Sequence, residues 1–201
     1  CDITGGSSWL LNKGANIASE RGATEVEALV LTHYHERYTS SIGAFIESNS
    51  VRRLWLPEPQ NTKEAAIMSR LVDIADKSAI SCAMYRSGEE LVVFSDCKLS
   101  FTAEKAAQGD SHFAVSLLFT RAEQSFMYLG APGLTGQSAD ALASKKLTAL
   151  AIGSHGTVAD DDAKRVFPSA QKIYFSEREA FERAISCMDL KLYESIFVDC
   201  K

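Results

Sequence analysis

Val26-Glu27-Ala28-Leu29-Val30-Leu31-Thr32-His33-Tyr34-His35-Glu36-Arg37-Tyr38 is the stretch on which the fold of this chain turns. Its first half is a largely apolar run of strand length, and the polarity changes at Thr32. The amphipathic stretch Ser41-Ile42-Gly43-Ala44-Phe45-Ile46-Glu47 follows directly. A strand that ends in Thr-His-x-His and runs at once into a helix places two imidazoles at the strand's carboxyl end, where α/β folds build metal and ligand sites. His33 and His35 are therefore the first candidate metal ligands.

Three later segments extend the pattern. Ser116-Leu117-Leu118-Phe119-Thr120 and Ser125-Phe126-Met127-Tyr128-Leu129 form an apolar hairpin about a turn at Arg121-Ala122-Glu123-Gln124, and the second arm ends in Leu129-Gly130-Ala131. Leu147-Thr148-Ala149-Leu150-Ala151-Ile152-Gly153 reads as a strand leading into Ser154-His155-Gly156-Thr157. Lys172-Ile173-Tyr174-Phe175-Ser176 is a short strand that closes on a serine.

In order and context these segments resemble the metallo-β-lactamase superfamily. They are most similar to the soluble metallo-β-lactamase-like domain of ComEC-type competence (DNA-uptake) proteins. The superfamily has His-x-His-x-Asp-His where this chain has His33 to Tyr38, Leu-x-Gly-Asp at the end of the hairpin, and, in the ComEC-like variants, His-His-Gly-Ser after the next strand. Arg37 thus stands in place of the aspartate, Tyr38 in place of the last histidine, and Ala131 in place of the bridging carboxylate. The resemblance implies an α/β fold, the αββα sandwich of two mixed sheets flanked by helices, as a single domain over residues 1–201. It also implies that His33, His35, Ala131 and His155 converge at one edge of that sandwich. Cys1-Asp2-Ile3-Thr4-Gly5-Gly6 resembles the remnant of a family strand ending in Asp-x-Gly, so N-terminal strands are expected to be missing from the chain. The family context implies a soluble domain of a bacterial membrane protein on the extracytoplasmic side, with the parent channel domain as a partner.

The chemistry of the substitutions points away from catalysis. A dinuclear hydrolase needs two metal positions, each with three or more N or O donors and supporting hydrogen bonds. The chain has four histidines, His33, His35, His112 and His155, which supply at most one residual metal site. Ala131 has no ligand atom. Two unit charges ~4 Å apart interact by about 4 kcal/mol at an effective dielectric near 20, so a guanidinium at Arg37 opposes a divalent ion by roughly twice that. Tyr38 offers a phenol whose ordinary pKa is near 10. The expectation is that Arg37 and Tyr38 fill the vacated cavity through hydrogen bonds to Glu36 or a backbone carbonyl. No catalytic residue and no cofactor are then expected, and the chain is a degenerate, non-catalytic module. The alternative is a zinc-dependent hydrolase, a phosphodiesterase or nuclease, using one zinc ion on the surviving histidines.

Composition excludes other classes. The 201 residues are 46% hydrophobic and 23% charged, ordinary for a globular protein. The net charge of −5 opposes strong nonspecific nucleic-acid binding, which depends on Lys and Arg neutralising phosphates. Single- or double-stranded DNA is therefore expected to bind weakly, through local basic pairs at Arg52-Arg53, Lys145-Lys146 and Lys164-Arg165. No apolar run approaches the ~20 residues that cross a bilayer, and no lipid contact is expected. The five cysteines fall at no metal or redox spacing. No Gly-x-Ser-x-Gly turn and no phosphate-cradling glycine loop is present, and Asp160-Asp161-Asp162 reads as the acidic first turn of a helix.

Periodicity places the remaining elements. Val51 to Pro57 reads as a strand, and Thr62 to Lys77 as a helix capped by Thr62, with an apolar stripe at Ala66, Ile67, Leu71, Ile74 and Ala75. Leu91–Phe94 and Leu99–Thr102 form a hairpin, Glu104 to Ser111 is the expected mobile loop, and Glu177 to Ile185 a terminal helix.

Overall fold

The computed structural model describes residues 16, 19–20, 22–34, 36–86, 88–94, 97–105, 113–129, 147–152, 173–175 and 195–197. The chain divides into two compact units, Cys1–Tyr85 and Arg86–Lys201.

The first unit runs β1 (Leu29–Val30), α1 (Glu36–Thr39), α2 (Ile42–Ser48), β2 (Arg53–Pro57), α3 (Thr62–Lys77) and β3 (Ser81–Tyr85). Its strands form one sheet in the order β1-β2-β3, parallel throughout, with Leu29 opposite Leu54 and Leu54 opposite Cys82. Parallel strands need crossover segments, and the helices between them meet that need. Strands covered on both faces read as continuous apolar runs. Accordingly Leu54, Trp55, Leu56 and Pro57 are all buried, and only Arg53 of β2 is exposed.

The apolar run Val26–Leu31 is less regular than its composition implies. Two of its residues form the β1 ladder, Val26 makes an isolated parallel bridge to Val51, and the Leu31 N–H donates to the Trp55 carbonyl at 2.9 Å. Leu29, Leu31, Ile42, Phe45, Leu54 and Leu71 belong to one buried cluster that joins the sheet to α2 and α3.

The helix expected over Thr62 to Lys77 is present with those bounds, but its cap is Asn61 rather than Thr62. Asn61 has an extended backbone, and its Oδ1 accepts the Glu64 N–H at 2.9 Å. The Glu64 carboxylate in turn accepts the Gln60 N–H at 2.7 Å, so two N-terminal amides are satisfied reciprocally. Thr62 already has helical geometry and cannot also be the residue that leads in. The buried stripe is Glu64, Ile67, Leu71 and Ala75, whereas Ala66 is exposed. The helix ends in a reverse turn in which Ile80 N–H bonds the Ala75 carbonyl and Ala79 N–H the Asp76 carbonyl. Ala79 takes φ +53° there, the left-handed position usually held by glycine.

The second unit holds β4 (Glu90–Phe94), β5 (Cys97–Lys105), β6 (Phe113–Arg121), β7 (Gln124–Leu129), β8 (Ala149–Ile152), β9 (Ile173–Phe175) and β10 (Ser195–Phe197). They form a seven-stranded sheet in the order β10-β9-β8-β7-β6-β5-β4. Pairings from β4 to β7 are antiparallel and those from β7 to β10 parallel, so this sheet is mixed. Both expected hairpins are present, and the β6–β7 turn places Ala122 at φ +50°. Leu118, Met127 and Leu150 stand opposite one another across three strands and are buried.

The α/β class, the two sheets and the helices thus match the expectation, although the described strands of the smaller sheet are all parallel. Strand β5 takes in Glu104 and Lys105 from the expected mobile loop; residues 106–111 and the helices expected near 160–166 and 177–185 lie outside the described residues. Strands β3 and β10 had no counterpart in the sequence pattern.

Candidate functional site

The candidate loop starts where the β1–β2 ladder ends. Beyond Leu31 the chain enters three buried residues in succession, Thr32, His33 and Tyr34. His33 is 4% exposed. Its Nδ1 lies 3.1 Å from Thr32 Oγ1, and the tautomer decides which of the two donates. Its Nε2 is a buried atom. A hydrogen bond on one ring nitrogen fixes the ring plane, as the hydrogen bonds of ligating histidines do.

Two phenols tie the loop to the neighbouring strand ends. The Tyr85 hydroxyl, at the end of β3, donates to the Leu31 carbonyl, and the Tyr34 hydroxyl donates to the Pro57 carbonyl at the end of β2. Both rings are buried. Burial, then the nearby Cys82 and Glu64, pushes the Tyr34 phenol well above its ordinary pKa, so it is a hydroxyl donor throughout the physiological range. At the far end of the loop Glu36 opens α1, and its carboxylate accepts two guanidinium N–H groups of Arg70 from α3, at 3.1 and 2.9 Å.

Of the candidate metal ligands, the structure places His33. Arg37 and Tyr38 lie on the backbone of α1, directly after the loop. The side chains of Arg37 and Tyr38, together with His35, His112, Ala131 and His155, lie outside the described residues, and so does their expected convergence. Glu36, expected as a partner for Arg37 or Tyr38, is gripped by Arg70. Among the described residues no group of three or more His, Cys, Asp or Glu side chains is arranged to hold a metal. The fit of a metal to this chain therefore rests on one oriented imidazole and on the donor types of the three other histidines. Nitrogen donors of that kind suit zinc.

The basic pair Arg52-Arg53 is not the free cationic surface that its sequence suggests. Arg52 pairs with Glu25 at 2.8 Å and Glu27 at 3.5 Å, and Arg53 pairs with Glu27 at 3.2 Å. The Val26–Val51 bridge sets these side chains beside one another. Lys145-Lys146 and Lys164-Arg165 lie outside the described residues. Among the described residues no helix is long and apolar enough to cross a membrane.

Sequence reasoning missed Tyr85 and Arg70, and it placed Glu64 in the first turn of the helix without giving it a capping bond. Tyr85 lies on a strand without an alternating pattern, and Arg70 looks like any solvated helix cation. Only Glu64 carried a local signal, as the acidic residue three positions after Asn61.

No family model matches the chain, and no curated protein matches it either. Solved structures do. The metallo-β-lactamase fold protein YhfI from Bacillus subtilis is similar with a TM-score of 0.65 and 11% identity, over 97% of this chain and 82% of that one. Igni18, a metallo hydrolase from the archaeon Ignicoccus hospitalis, is similar with a TM-score of 0.57 and 10% identity, over 86% of this chain and 76% of that one. Zn(2+)-bound PqqB from Methylobacterium extorquens is similar with a TM-score of 0.54 and 9% identity, over 85% of this chain and 68% of that one. At these identities the likeness shows the fold. The chain has the metallo-β-lactamase fold.

Proposed function

We propose that this chain is a degenerate metallo-β-lactamase-fold domain of a ComEC-type membrane DNA-uptake protein, held on the extracytoplasmic side, with a binding or structural role. The carrying observation is the set of replacements in the fold's ligand segments: Arg37 and Tyr38 after the His33 loop, and Ala131 at the end of the hairpin. A cation and a methyl group at those places remove the bridging carboxylate and oppose a second divalent ion. The parent channel domain is the first partner, and DNA a weak one. The neutralised Arg52-Arg53 pair supports that weakness.

A second reading is a hydrolase acting on phosphodiesters with one zinc ion. It is favoured by the buried, oriented His33, with His35, His112 and His155 as further donors. Two of the similar structures are described as a metallo hydrolase and as Zn(2+)-bound. A zinc ion held there would supply a water activated near neutral pH. His33 and its Thr32 contact would orient it, and the buried loop would keep bulk water from the donor nitrogen.

Elemental analysis after dialysis, paired with a nuclease assay, separates the two. The non-catalytic reading expects fewer than one zinc per chain and no cleavage of single- or double-stranded DNA with added zinc or manganese. It also expects activity to appear only when Arg37→Asp, Tyr38→His and Ala131→Asp are combined. One zinc per chain, lost in His33→Ala, with metal-dependent cleavage by the unaltered chain, would overturn it in favour of the second reading.

A further inference from the structure

The carboxyl ends of the three parallel strands β1, β2 and β3 meet around residues 31–34, 57–58 and 85. A parallel sheet leaves carbonyls at these ends without a ladder partner, and buried carbonyls need donors from elsewhere. Here the donors are the two phenols: Tyr85 on the Leu31 carbonyl and Tyr34 on the Pro57 carbonyl. The first bond reaches past β2, because β3 and β1 are separated by it in the sheet. The second runs from the loop back to β2. The bidentate Arg70 grip on Glu36 adds a third tie at the start of α1. The loop is thus fastened at residues 31, 34 and 36, and His33 falls between the first two ties. A loop of six residues with three anchors has few backbone states left, so the imidazole it carries is preset before any ligand arrives.

We infer that Tyr85 and Tyr34 are positioning residues, whose hydroxyls clamp the strand-end carbonyls on either side of His33 and hold its imidazole as a preorganised donor toward a transition-metal ion. The inference toward the metal rests on the single-zinc reading; the clamp on His33 does not. The two hydroxyls act through the backbone and touch no ligand. Phenylalanine at either position keeps the buried ring and removes only the hydroxyl. It leaves one strand-end carbonyl without that donor and frees the peptide before Thr32 or the ring beside His33. Groups that hydrogen-bond a metal-ligating histidine directly change metal affinity by about 10- to 100-fold; these phenols act one step further back, through the backbone, so the lower end of that range, about tenfold, is the expected scale.

The test uses the full chain in two measurements. In the metal-free protein, the His33 side-chain resonances, assigned by their disappearance in His33→Ala, are followed by nitrogen-15 spectroscopy in the unaltered chain, Tyr85→Phe and Tyr34→Phe. The clamp predicts one sharp set of ring signals in the unaltered chain and broadened or doubled signals in each variant. In the second measurement zinc is titrated into the same proteins and into Leu99→Ala, which weakens the core of the second unit. The expected result is about tenfold or greater weakening in Tyr85→Phe and Tyr34→Phe and less than threefold in Leu99→Ala. Unchanged His33 ring signals in both phenylalanine variants overturn the clamp, whatever zinc does. Zinc binding that His33→Ala leaves intact overturns the single-zinc reading and the metal-directed part of the inference, and the ring signals still decide the clamp. Equal weakening in all three variants shows a general loss of stability and overturns the positioning role.

Discussion

If Arg52 and Arg53 are occupied by Glu25 and Glu27, replacing all four side chains by neutral ones must barely alter DNA binding, and removing the two carboxylates alone must strengthen it. The geometry sets the size of both effects. Two guanidinium charges face two carboxylates at 2.8 to 3.5 Å, so the patch as a whole carries no net charge. Each phosphate contact made by a free cation contributes a slope of about −0.9 in log affinity against log salt, or about 3.5-fold between 50 and 200 mM. Two such contacts amount to a slope of about −1.8 and about 12-fold over the same range. The expected result in fluorescence anisotropy with a labelled single strand and duplex is weak binding by the unaltered chain. Arg52→Ala and Arg53→Ala combined with Glu25→Gln and Glu27→Gln should leave the slope within ~0.5 of the original, because the paired arginines contribute no phosphate contact and no bare carboxylate is left behind. Glu25→Gln with Glu27→Gln should steepen the slope toward an added −1.8 and raise affinity at 50 mM, because it exposes both cations. A loss of more than one unit of slope in the quadruple variant would refute the reasoning, since it would mean that DNA displaces the carboxylates and uses this patch.

Three further outcomes follow from the first unit. Ala79→Gly should raise the urea midpoint by an amount equal to about 0.5–1 kcal/mol, because φ +53° strains alanine by more than glycine loses in chain entropy; a lower midpoint would deny the left-handed cap. The Tyr34 phenol is pushed up by burial, so its folded form keeps the proton that the unfolded chain releases above about pH 10. Its contribution is therefore complete below that pH and is lost as pH rises further, and Tyr34→Phe should flatten the fall in urea midpoint measured from pH 9 to 11. The Cys82 thiol is raised by burial and by Asp76, so its share of the fall starts lower, above about pH 8.5, and Cys82→Ala should remove that part together with the smaller share of the Tyr34 shift that Cys82 causes.

What the sequence determined by itself was local. An apolar run ending in Thr-His-x-His, the β6–β7 hairpin and its turn, the short strands β8 and β9, and the bounds of α3 were all legible, because each is set by the period of apolar residues and by turn chemistry within a dozen positions. The same segments, in that order, carried the resemblance to the metallo-β-lactamase fold. What tertiary structure decided was each pairing between residues far apart in the chain. Ser81-Cys82-Ala83-Met84-Tyr85 has no alternation and becomes a strand because β2 offers it a parallel ladder. Thr62 and Asn61 are both good caps by composition, and the choice fell to Asn61 because its side chain and Glu64 satisfy two amides at once. Arg52-Arg53 reads as a basic patch until the Val26–Val51 bridge sets Glu25 and Glu27 beside it. The ties on the His33 loop from Tyr85 and Arg70 were equally hidden, since a phenol or guanidinium shows no sign in sequence of which distant carbonyl or carboxylate it will meet. Periodicity governs which face of an element is buried; only the topology of the sheet governs what that face is buried against.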